Sequence, residues 1–505
     1  MVSDFKWLGI RHRGFPLSKV VHPVELPEKP LQFASLIGGR FVRPDEREII
    51  KCESPSHGVV VSQYPRATPD DIDRALGAAR AAADSGVWAH MSGRERQRVL
   101  ARIARLIDKH RDELALIETL EGGRPIGGMD DEIQAAIESW EHGAALAGQA
   151  HGDAYGEDAR DRFGGAREGF TFCEAAGVVG MITPSSRPLC ALSRKLAPAL
   201  AAGNSVVVKP SARAAGTTLR LGELLIEAGL PEGVVNIVAG DCETGRAIAG
   251  DGRVDMIAFT GSRHAGRAVG RIAGEGLRRF SFDVGVRPVH IVFADADIAR
   301  AARGVADGIV NGAFGGVRLL VERWIAEEFS EAVFRLMAQF RVGDPFDPAT
   351  QIGPLISRSR LERVTGHVEA EAGTGTQVRR VELADKGLAK GRYLGATLLS
   401  GVKPGAKIAR EEIFGPILVA TPFETPDEAV RLANGMGPGV HGDIWTGDIE
   451  RAFAIARRLD ADVVTVNGHD GEAAGGWNGL DAYSRVKTVR HSPGPVAARE
   501  RVLAE

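Results

Sequence analysis

The chain reads as an α/β protein built on parallel, doubly wound sheets. Three observations predict this. Between Gly177 and Thr260 the short apolar runs VVGMI, SVVVK, VVNIV and MIAFT each end in a turn signal, helical stretches separate most of them, and a second series of the same kind begins near Ile291. Strands buried on both faces lose the polar alternation of a half-exposed strand, and helical crossovers between them call for parallel neighbours.

Ahead of these strands the chain is helical. In TPDDIDRALGAARAAADSGVW, either Thr68 or Asp70 can cap a helix whose Ile72, Ala75, Leu76 and Ala79 share one face. Arg94 to Leu120 carries Val99, Leu100, Ile103, Leu106 and Ile107 at helical spacing, and Asp130 to Ala147 reads as a further helix. In the second series the strand runs are LLVERW, ILVATPF and ADVVTVN, with a helix over Thr425 to Asn434. The Gly-rich patches at Ala372 to Thr376 and Ala473 to Gly479 read as loops.

At 505 residues, 44% hydrophobic and 26% charged, the chain can build two or three separate cores. A formal net charge of -3 with both signs interspersed gives no broad basic field, so neither nucleic acid nor an anionic membrane is an expected partner. Cys52, Cys173, Cys190 and Cys242 lack CxxC spacing, which argues against a disulfide framework or zinc site and reads as small core residues in a reducing compartment. Neither a signal peptide nor a membrane span is legible, and a cytoplasmic location is expected.

The segment GVVGMITPSSRPLCALSRKLAPALAAGNSVVVKPS, followed by EAGLPEGVVNIVAGD and IAFTGSRHAGR, resembles the nucleotide-binding half of the aldehyde dehydrogenase superfamily. With VGDP, IGPLIS and AREEIFGPIL added, the resemblance runs from roughly residue 36 to residue 490. It implies a Rossmann-like cofactor domain over 34–155 and 176–286, an α/β catalytic-type domain over 287–479, and a small β arm over 156–175 and 480–505 that joins subunits, after an N-terminal arm of residues 1–33. It further implies NAD or NADP as cofactor, a small aldehyde or acyl ligand, and a dimer or tetramer.

On the cofactor side, FTGSRHAG places Ser262 and Gly266 where backbone amides and a helix N-terminus can face phosphate oxygens, although an ordinary strand-to-helix turn has the same form. Lys209 matches the lysine that holds the adenosine ribose, or is a solvated strand-end residue. Three positions on, where NAD-preferring members usually carry a carboxylate, stand Ala212 and then Arg213, which leaves NADP open and the cofactor site weakened. Glu412 and Phe414 in EEIFGP match the pair that positions the nicotinamide ribose and ring, with a purely packed turn as the equal alternative. Asn467 in VTVN matches a substrate-side structural position.

On the chemical side the pattern departs. Aldehyde oxidation in this family needs a thiolate nucleophile, an oxyanion donor and a carboxylate that activates water. The nucleophile segment is here GIVNGAFGGVRLLV, shortened, with Ala313 in the cysteine's place and no cysteine from Glu243 onward. ITPSSRP puts Ser186 where an asparagine amide would serve the oxyanion and Ser185 where an aromatic wall would stand. FDVGVRPV puts Asp283 in place of the water-activating glutamate, one methylene shorter, and Val286 in place of a loop glycine. The run AAGGWNGLDAYSRVKTV omits much of a loop that closes the substrate tunnel. The resemblance therefore implies a non-catalytic or impaired member acting through assembly, as a homo-oligomer or with an active paralogue. Two alternatives remain: a cysteine-independent oxidoreductase and a non-redox binding module for an aldehyde or acyl ligand.

Overall fold

The computed structural model describes residues 26–42, 47–149, 152–157, 167–284, 287–311, 316–383, 385, 387–388, 391–435, 440–469 and 479–491. Ala313, Val286 and the loop over 473–478 lie outside them, as does the N-terminal arm before residue 26.

The four apolar runs of the first series become neighbouring strands of one seven-stranded sheet. Its order is Arg279–Val284, Met256–Gly261, Val178–Ile182, Ser205–Lys209, Val235–Ile237, Ser35–Ile37, Arg40–Val42. The first five run parallel and the last two antiparallel. A second seven-stranded sheet is ordered Gln377–Arg380, Thr397–Ser400, Ile417–Phe423, Val317–Glu322, Val289–Val292, Val440–Trp445, Ala461–Val466, parallel except for its first pair. Both sheets are covered by helices and have separate cores, the first around Trp88, Trp140, Leu196 and Val206, the second around Ile309, Leu319, Phe329 and Leu418. Ser484–His491, Arg167–Ala175 and Ala154–Glu157 form a small antiparallel sheet. Another three-stranded sheet joins Leu31–Gln32, Val60–Pro65 and Ile49–Glu53.

Three local expectations need correction or sharpening. Thr68, not Asp70, caps the helix Pro69–Ser85, because its hydroxyl accepts from the Asp71 amide while the Asp71 carboxylate accepts from the Thr68 amide. The stretch from Arg94 is two helices, Gly93–Lys109 and Arg111–Gly122, broken at His110 (φ -105, ψ 19), whose ring bonds Glu113 at 2.8 Å. No glycine or proline marks that break, so the helical period runs through it. Of the four cysteines only Cys52 and Cys190 are core residues; Cys173 is half-buried and Cys242 exposed at the start of the helix Cys242–Gly250.

Candidate active site

The site lies where the two large sheets approach each other. Asp283 is on the edge strand Arg279–Val284, in register with Thr260 on the adjacent strand, and the Thr260 hydroxyl donates to Asp283 Oδ2 at 3.2 Å. The stronger partner comes from the helix Pro188–Ala201: Lys195 Nζ is 2.7 Å from the same oxygen, with the lysine side chain 1% exposed and the aspartate 30%. The reach of the Asp283 carboxyl group toward any water is set by these two contacts. Tyr483 is buried nearby, where burial and then the Asp283 charge push its phenol pKa up. Neither Lys195 nor Tyr483 stands out in the sequence. Lys195 sits inside KLAPALAAGN, which reads there only as scaffold.

Ser186 lies in the turn between the strand Val178–Ile182 and the helix Pro188–Ala201, half-buried. The next residue, Arg187, takes a left-handed conformation (φ 50, ψ 52), which is uncommon for a side chain this large and turns the chain into the helix. Beneath it is a buried ionic group that sequence reasoning also missed. Arg124 pairs with Glu132, Arg187 lies 3.6 Å from the same carboxylate, and Glu118 accepts the Leu189 amide at 2.8 Å. Burial raises the Glu118 carboxyl to about 7 and lowers Arg124 to about 9, with the Arg187 charge adding to the latter. These residues are far apart in sequence, and only the helix packing brings their charges together.

On the opposite side, Ser262 is the cap of the helix Arg263–Glu275, its hydroxyl accepting from the Ala265 amide at 3.3 Å. Gly266 is buried on that helix, and a methyl there would come within 2.6 Å of Val284 Cγ1, so the glycine is required by close packing of helix on strand. The first amide of this helix, from Arg263, donates to both Glu412 oxygens at 3.2 and 3.3 Å. A carboxylate thus occupies the end of the helix where the sequence expected phosphate oxygens. Burial raises the Glu412 carboxyl pKa against the pull of that amide and of nearby arginines.

The loop bearing Glu412 and Phe414 is pinned by Arg287. Fully buried, its guanidinium donates to the Ile408 and Glu411 carbonyls at 2.8 Å each. Phe414 lies under Arg360, whose guanidinium carbon is 4.2 Å from the ring centre. Lys209 ends its strand largely buried rather than solvated, and desolvation lowers its pKa. Asn467 bridges the Thr446 amide and carbonyl at 3.0 and 2.9 Å, a backbone clamp at a left-handed position.

Two seven-stranded α/β sheets, with the carboxylates of Asp283 and Glu412 at the strand and helix ends between them, define an α/β class of protein with a Rossmann-like half. The aldehyde dehydrogenase family model matches residues 41–481, and the chain belongs to that family. It is 35% identical to the NADP/NAD-dependent aldehyde dehydrogenase PuuC of Escherichia coli, covering 90% of this chain and 94% of that protein. It is 33% identical to human retinal dehydrogenase 2 over 92% and 93% of the two chains. Among solved structures, the NAD-dependent aldehyde dehydrogenase of Sinorhizobium meliloti superposes with a TM-score of 0.85 at 35% identity, covering 93% and 97%. The NAD+ complex of an aldehyde dehydrogenase from Bacillus cereus gives 0.84 at 30% identity, covering 91% and 96%.

Proposed function

We propose that this chain is a family member in which thiolate-dependent aldehyde oxidation is lost or strongly impaired, and which retains a partial NAD or NADP site. The observation that carries this reading is the absence of any cysteine after Cys242, so the nucleophile segment, with Ala313 in the thiol's position, has no thiolate to offer. Bound NAD or NADP would supply a hydride acceptor. Lys209, the amides at the start of the helix Arg263–Glu275, Glu412 and Phe414 are the residues that would hold it, once Glu412 leaves the Arg263 amide.

The protein would then act through assembly, as a homo-oligomer or beside an active paralogue, in the cytoplasm. The small antiparallel sheet supports this part, because its paired residues Phe170 and Val489 are 48% and 37% exposed. Among the described residues no helix is long and apolar enough to cross a membrane.

A second reading has one observation in its favour: the Asp283 carboxylate remains partly exposed, fixed by Lys195 and Thr260. There it could take a proton from the water that hydrates an aldehyde, and the resulting gem-diol would give its hydride to bound NAD or NADP, making a slow, cysteine-independent oxidoreductase.

The test is thermal melting of the full-length protein with and without millimolar NAD and NADP, beside an absorbance assay for reduced cofactor over several aldehydes. A cofactor-dependent rise in melting temperature without turnover supports the first reading. Turnover abolished by Asp283→Ala supports the second and overturns the first. Stabilisation by an aldehyde or acyl compound without nucleotide points to a non-redox binding module.

A further inference from the structure

In the second sheet, three histidines, two of them distant in sequence, surround one buried carboxylate. Asp443, on the strand Val440–Trp445, is fully buried. Its Oδ2 lies 3.2 Å from His290 Nδ1 and 2.7 Å from His469 Nδ1, and its Oδ1 lies 3.0 Å from His441 Nε2. The three histidine side chains are 0%, 6% and 3% exposed, respectively for His290, His469 and His441. His441 and His469 hydrogen-bond the carboxylate, while His290 lies beside it and its Nδ1 accepts from Trp445 Nε1 at 3.3 Å.

With Nδ1 engaged by Trp445 in His290 and by Asp443 in His469, the far nitrogens of the two rings are left over. Neither Nε2 has a hydrogen-bond partner among the described residues, although both are buried. An orphaned buried nitrogen costs as much as a lost hydrogen bond, and two in one place call for an explanation. Both nitrogens approach the same point. A methyl built on Gly308, in the helix Ile298–Asn311, would lie 3.1 Å from His290 Nε2 and 3.3 Å from His469 Nε2. The helix thus leaves its side-chain space empty where the two unpartnered nitrogens approach each other. Asp307, the preceding residue, is close enough to His469 for the two to interact electrostatically.

We propose that His290 and His469 bind one divalent transition-metal ion of the zinc class through their Nε2 atoms, in the space left by Gly308, with Asp443 and His441 fixing the rings from behind. A metal-ligating imidazole characteristically gives its other nitrogen to a carboxylate, the relationship Asp443 has to His469; in His290 the ion would displace the Nε2 proton to Nδ1, 3.2 Å from Asp443 Oδ2, in place of the bond from Trp445. Imidazole nitrogens with a carboxylate such as Asp307 suit zinc or cobalt, at roughly 2.1 Å per Zn–N bond. His290, Asp443 and His469 have donor atoms within 4.8 Å of one another, so the two rings stand close together around the carboxylate.

The test uses untagged full-length protein stripped with EDTA, titrated calorimetrically with zinc chloride and, in parallel, with cobalt while the visible spectrum is recorded. One equivalent of each ion should bind, with a cobalt d–d band. His469→Ala should weaken binding at least about tenfold, and Asp443→Asn by about 10–100-fold. The decisive variant is Gly308→Ala, which keeps every ligand and favours the helix but fills the space; it should retain the native circular dichroism and lose the stoichiometric zinc. If His469→Ala fails to fold, Gly308→Ala carries the test alone. Absence of stoichiometric binding in the unaltered protein, or unchanged binding in Gly308→Ala, overturns the proposal.

Discussion

Lys195 Nζ stands 2.7 Å from Asp283 Oδ2, joining the helix Pro188–Ala201 to the edge strand of the first sheet across the candidate site. The pair is asymmetric, since the lysine is buried and the aspartate partly exposed. Asp283→Asn strands a buried ammonium, whereas Lys195→Met leaves a carboxylate that water can reach. We expect Asp283→Asn to cost about 2–4 kcal/mol, the lower part of the range for breaking a buried pair being set by the aspartate's exposure, and Lys195→Met distinctly less. Urea unfolding of both variants checks the order; equal losses would show that the pair is not what holds Asp283.

Glu412 at the Arg263 amide competes with any phosphate for the same helix end. Glu412→Gln removes the negative charge and should tighten binding of inorganic pyrophosphate by about 2–5-fold at low salt, the size of a helix-terminus charge effect. Equilibrium competition measured at low and high salt would reveal it. Weaker pyrophosphate binding in the variant would mean that the carboxylate does not stand in the anion's place.

Glu121, fully buried on the helix Arg111–Gly122, accepts from the Ser62 hydroxyl and from the Gly216 amide at 2.9 Å, and burial raises its carboxyl to about 7. The folded state therefore holds a proton that the unfolded chain has released from about pH 4.5 upward. Its contribution to stability is fully present below that value and is lost as pH rises to about 7, by up to about 3 kcal/mol. Glu121→Gln should flatten this part of the profile. Melting curves from pH 4.5 to 8 for both proteins test the slope, and parallel profiles would refute the assignment.

Cys242 is exposed while Cys52 and Cys190 are buried, and burial raises the Cys52 thiol pKa further. A thiol reagent applied to the native protein should modify Cys242 rapidly and Cys52 and Cys190 only on unfolding. Mass-spectrometric mapping of the labelled sites, repeated with Cys242→Ser, decides it. Fast labelling of Cys190 would reveal a reactive thiol beside the candidate site.

Gly266 fits under Val284 with no room for a methyl, so Gly266→Ala should destabilise the protein by about 1–3 kcal/mol through overpacking. Because Val284 follows Asp283, the same variant should disturb the Lys195 pair. Guanidinium unfolding combined with a crystal structure of the variant would test both parts.

The strands and most helices were legible because their signals are local: VVGMI or SVVVK is apolar over a strand's length, and Thr68 can cap only the helix that begins at the next residue. The family motifs were legible for the same reason, as contiguous strings. The break at His110 was not, since the helical period continues through it without a glycine or proline. Ser262 and Gly266 were found as positions, but their present roles, a cap and a packing gap, depend on Val284 and Glu412 from elsewhere in the chain.

By itself the sequence determined the α/β class, the family and the lack of any cysteine in the segment where the nucleophile would stand, all of them matters of residue type and near-neighbour spacing. Only the tertiary structure decided that Lys195 meets Asp283, that Arg124, Arg187 and Glu132 share one buried pocket, and that His290, His441 and His469 surround Asp443. Charges and lone pairs act over a few ångströms, and residues 290 and 469 reach that distance because the strand bearing His290 and the strand Ala461–Val466, which leads into His469, enter one parallel sheet, a proximity that no local pattern along the chain encodes.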